Sequence, residues 1–170
     1  MKEAWLRTRR YFWAAVGLFV LAALGGWLLP AAFPAQAGQF TDLINSKLAP
    51  LLRRIEETGP GGGVLVIFLN NLRAAALTVA LGFTLVFPAI SMGLNGFVVG
   101  FVLSAALSTH QLTPLQTLAV ILPHGIFELP ALFLATALGW RIGAAFWREV
   151  LGRPRTEPGR LAGDLGRLGL

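Results

Sequence analysis

Cysteine is absent and charge is scarce: 13% of the 170 residues are charged, against 55% that are hydrophobic. The first absence excludes disulfides, thiolate metal sites and cysteine nucleophiles. The second is a poor composition for a soluble domain. Histidine is nearly missing too, with His110 and His124 the only two. His124 and Glu128 resemble half of a zinc site, but HExxH does not occur. No GxSxG turn surrounds Ser91 or Ser104. GPGGG at 59–63 lacks the lysine and the strand–helix setting of a phosphate loop. We therefore expect no catalytic residues, no metal and no cofactor, and no enzyme.

The few charges fall in an informative place. Residues 1–10 carry a net +3, residues 141–170 another +3, and the stretch between sums to zero. A nucleic-acid binder would gather its basic groups on one folded polar face. Here they flank an apolar body, as cytoplasmic flanks do under the positive-inside rule. Nucleic acid is thus not an expected partner, whereas the lipid bilayer is.

Each crossing needs roughly 20 mainly apolar residues. Residues 11–30 carry no charge and form the first expected span, with Tyr11, Trp13 and Trp27 near its ends. Residues 64–87 and 93–108 are the second and third. Residues 114–147 are too long for one simple span and hold Pro123 and Pro130. A break or kink at Pro123–Pro130 is expected there, with Gly125 just after Pro123, giving either a re-entrant half-helix followed by a helix to Trp147 or the first part of one kinked span. Between the first two spans, residues 39–57 put Phe40, Leu43, Ile44, Leu48, Leu51, Leu52 and Ile55 on one helical face. That makes an amphipathic interfacial helix, interrupted near Pro50, which GPGGG then hinges back. The expectation is one all-α domain: a polytopic transmembrane bundle of about four spans, with a basic cytoplasmic tail at 148–170. Four crossings and two basic ends place both termini in the cytoplasm of a multi-pass plasma-membrane protein.

Ionisable groups at membrane depth are costly, about 2.5–3.5 kcal/mol at a span centre on insertion scales. The second span holds Asn70, Asn71 and Arg73, the third begins with Asn95, and the fourth holds His124 and Glu128. Matched by depth, Arg73 and Glu128 are expected to pair, inside a buried polar cluster formed by all six. Such a cluster either locks helices together or handles an ion or proton. In the third span Gly96, Gly100 and Ser104 make a small-xxx-small stripe for a closely packed helix. Internal packing is the expectation, with a homodimer as the alternative.

NNLRAAALTVALG, SMGLNGFVVG and ILPHGIFELPALFLATALGWRIG together resemble the stage II sporulation protein M family over roughly residues 64–143. The shared positions are Asn71 (with Asn70), Gly82, Asn95, Gly96, Gly100, His124, Gly125, Glu128 and Gly139. The resemblance implies a polytopic membrane protein. It also implies a scaffold or anchor role, since the family's namesake works with peptidoglycan-degrading partners when a forespore is engulfed. Similar relatives occur in organisms that do not sporulate. REVLGRPRTEPGRLAGDLGRLGL, residues 148–170, departs from the family pattern: a further hydrophobic segment is expected there, and this one is too basic and glycine-rich to span. The expected function is a non-enzymatic scaffold for a membrane or envelope partner, the alternative a small channel or transporter using Arg73, His124 and Glu128.

Overall fold

The computed structural model describes residues 2–108 and 114–152, and they are helical apart from short turns. Helix α1 runs Lys2–Ala32, α2 Pro34–Ala80, α3 Val86–Ser108 and α4 Pro114–Val150, with a 3₁₀ turn at Leu81–Thr84 between α2 and α3. Among the described residues four stretches are long and apolar enough to cross a membrane: Trp5–Ala32, Leu65–Thr84, Val86–Ser108 and Glu128–Val150. The expected four-span, all-α architecture is what forms.

Contacts fix the helix directions. Gly96 packs on Phe19 and Gly100 on Ala23, both numbers rising together, so α1 and α3 run parallel. Arg141 Nη1 donates to Thr8 Oγ1 at 3.2 Å, while the Phe12 and Phe133 rings meet edge-on at 5.8 Å. α4 therefore runs antiparallel to α1, and the start of the first helix and the end of the last share one face of the bundle. Between α1, α3 and α4 sits the core: Ala15, Phe19 and Met92, wrapped by Leu18, Val99, Leu129, Leu132, Phe133 and Trp140. The outer surface is equally apolar, with Leu21, Leu72, Ile90 and Leu134 exposed. That inside-out indifference suits lipid, where burial of apolar surface no longer drives helices together and close packing must do so.

Three boundaries differ from those read in the sequence. The third helix starts at Val86, seven residues before Gly93. Pro88 lies in its first turn, where a missing N–H costs nothing, and the Thr84 hydroxyl caps the start by accepting from Phe87 N at 3.0 Å. The fourth helix does not break into a half-helix at Leu122–Pro123: its backbone is helical without interruption through Pro123 and Pro130. A proline removes one helical hydrogen bond, but in apolar spans the remaining bonds and neighbouring helices hold the backbone.

The amphipathic segment and the second span form one helix through Pro50 and GPGGG. It cannot be straight. Phe40 stacks edge-on against Phe97 at 5.1 Å, and Thr78 Oγ1 lies 3.3 Å from Ser91 Oγ. A straight helix would set Phe40 and Thr78 ~57 Å apart at ~1.5 Å per residue. The α3 segment joining their contacts, with side-chain reach added, allows about 30 Å. α2 is folded back on itself. A Cβ added to Gly62 would fall against Cβ of Thr58, far inside the ~5–6 Å that separates successive turns of a straight helix. The bend thus sits at GPGGG, where the sequence placed its hinge.

Candidate functional site

Asn71 and Thr78 of α2 and Gly82 of the 3₁₀ turn that follows it recur at seven and four residues on the side turned to α4. At its far end from the termini, Asn71 Nδ2 donates to Glu128 Oε2 across the two helices. Both residues are half-buried. Thr78 is fully buried; its hydroxyl donates to Ala74 O at 2.8 Å and faces Ser91. Below it Gly82 meets Gly139 so closely that an added Cβ would lie 2.7 Å from the Gly139 carbonyl carbon. One turn on, a Cβ at Gly143 would lie 2.6 Å from Leu85 Cδ2. Asn71 to Glu128 and Gly82 to Gly139 are both separations of 57 residues, so the seam keeps one register and α2 runs parallel to α4.

The turn beneath the seam is pinned by indoles. Leu85 has φ of 58°, a left-handed conformation rare for a branched side chain. Trp140 Nε1 donates to Leu85 O at 2.9 Å, and Trp147 Nε1 to Phe83 O at 2.7 Å. Trp140→Phe removes the donor from a half-buried carbonyl and is expected to lower stability by about 1–3 kcal/mol. Trp147→Phe, at an exposed indole, should cost under about 1 kcal/mol. Thermal melting of the two variants in detergent micelles checks the order.

The expected six-residue cluster does not assemble as such. Arg73 is exposed and is not the partner of Glu128. Residues two apart lie on nearly opposite sides of a helix, so with Asn71 turned to α4, Arg73 turns outward. Asn70 is exposed as well. Asn95 is exposed on α3, its amide donating to Ser91 O at 2.8 Å. His124, with Pro123 and Gly125, is placed as backbone of α4, its side chain outside the described residues, as are His110 and 153–170 of the tail. Pro130 is exposed.

The small-residue stripe Gly96, Gly100 and Ser104 is buried, and the two glycines lie against α1 of the same chain. Sequence reasoning missed two members of these contacts. Gly26 packs on the backbone of Phe97 and Phe101, and Gly143 on Gly82. Both had a signal: Gly143 completes a GxxxG with Gly139, and Gly26 follows Ala22 at the same spacing. Among the described residues no three His, Cys, Asp or Glu side chains gather as metal ligands would.

Four apolar helices sealed by glycine contacts and a few cross-helix hydrogen bonds define an all-helical, multi-pass membrane protein. The sequence model of one family, described as Stage II sporulation protein M, matches residues 15–167. The chain belongs to that family. No curated protein and no solved structure shows significant similarity to it.

Proposed function

We propose that the chain is a non-enzymatic membrane scaffold, anchored in the plasma membrane with both termini in the cytoplasm and holding an envelope or membrane partner. The observation that carries this reading is the use made of Glu128: the acid at membrane depth is hydrogen-bonded sideways to Asn71 and ties α4 to α2. A carboxylate committed to a helix–helix lock serves assembly. Family membership supports an envelope setting. The net +3 carried by each of residues 1–10 and 141–170, together with the meeting of Thr8 and Arg141 on one face of the bundle, supports the cytoplasmic orientation.

The alternative, a channel or transporter, rests on His124 and Glu128 lying four apart on α4. Proteoliposomes loaded with a pH-sensitive dye separate the two. The scaffold reading expects a proton leak equal to that of protein-free liposomes. Flux that varies through the range where histidine titrates, and that His124→Ala silences, would overturn it.

A further inference from the structure

The seam absorbs Asn71 and Glu128, but Arg73, the cation of the second span, stays on the outside. Arg73 is exposed, and no described residue pairs with it. It stands eight residues from Leu65 and eleven from Thr84 in the second span, ~12 Å and ~16 Å along the axis. Snorkelling carries an arginine head only part of that way. Around it the surface is hydrocarbon: Leu69, Leu72 and Leu77 are exposed. Asn70, three residues earlier and also exposed, shares this side of the helix. A guanidinium and an amide presented together at mid-depth are costly against lipid. A carboxylate matches them, taking two parallel bonds from the guanidinium.

We propose that the outward face of α2 around Arg73 docks a transmembrane helix of a partner protein that carries an aspartate or glutamate at mid-membrane depth. This rests on the scaffold reading and names the surface it would use. A second copy of this chain does not fit. Within the candidate spans its carboxylates are Glu128, bonded to Asn71, and Glu149, beside the end of α4 at Val150. A two-fold contact through this face would also set Arg73 against Arg73.

The test uses the full chain in liposomes and three synthetic leucine–alanine spanning helices as probes: one with a central glutamate, one with glutamine, one with neither. Association is read by energy transfer. The glutamate helix should bind at least tenfold more tightly than the plain helix, with glutamine between them. Arg73→Leu, which should melt like the parent chain, should lose that preference, and Arg73→Lys should keep part of it. Equal binding of the three helices, or a preference that survives Arg73→Leu, would overturn the proposal. So would self-association between labelled copies that Arg73→Leu abolishes. Dye-detected proton flux together with an intact glutamate preference would overturn the scaffold reading and leave the docking face standing.

Discussion

Gly100→Leu should leave little correctly folded protein. α1 and α3 touch backbone to backbone: a Cβ at position 100 would already lie 2.6 Å from the Ala23 carbonyl carbon and 2.8 Å from its Cα. Neither atom can swing aside as the end of a flexible side chain can. Overpacking in a tight core costs about 1–3 kcal/mol, and Gly100→Ala should fall at the upper end of that range. Leucine must push the helices apart, which also unseats Gly96 from Phe19 and Gly26 from Phe97. The internal control is Gly93, on the same helix, where an added Cβ meets nothing within 4 Å. Gly93→Ala should be neutral or stabilising by roughly 0.5–1 kcal/mol through helix propensity. Size-exclusion profiles and melting in detergent would show it: a monodisperse peak for Gly93→Ala and aggregate for Gly100→Leu. Comparable melting of the two would mean that the α1–α3 contact is not as drawn.

The second large effect belongs to the Asn71–Glu128 pair. Hydrogen bonds to charged groups contribute about 1.5–3 kcal/mol, and Asn71→Leu removes this donor from the carboxylate. It should cost about 2–3 kcal/mol on that basis. Glu128→Gln keeps an acceptor of the same shape and should cost less, about 1 kcal/mol. The decisive measurement is a double-mutant cycle with Asn71→Leu and Glu128→Leu, expected to give a coupling of about 1–2 kcal/mol, the upper range for intramembrane pairs. Additive single effects would show that the two side chains act independently.

The number of spans, the near-zero charge inside them and the hinge at GPGGG could be read from hydropathy and glycine–proline punctuation, because these are one-dimensional signals. The partner of Glu128 could not be read from depth alone. Depth matching chose Arg73 and ignored azimuth, although Asn71, Thr78 and Gly82 already marked the face that turns inward. The stripe of Gly96, Gly100 and Ser104 announced a close contact without saying with what, since small residues specify distance and carry no label for the helix that arrives. Pro123 read as a break because proline lowers helix propensity in every setting. It sits in an apolar helix, where neighbouring helices best compensate its penalty.

The equal-register seam between α2 and α4 has a consequence for biosynthesis. Neighbouring helices joined by a short turn can dock as soon as both emerge. A parallel pair cannot, because the whole of α3 must be made in between. Asn71 and Gly82 are therefore in the bilayer 57 residues before Glu128 and Gly139 exist. At ~5–20 residues per second of translation, that interval is on the order of seconds. During it the α4-facing side of α2 is open to whatever chaperone, translocon wall or neighbouring polypeptide stands beside it.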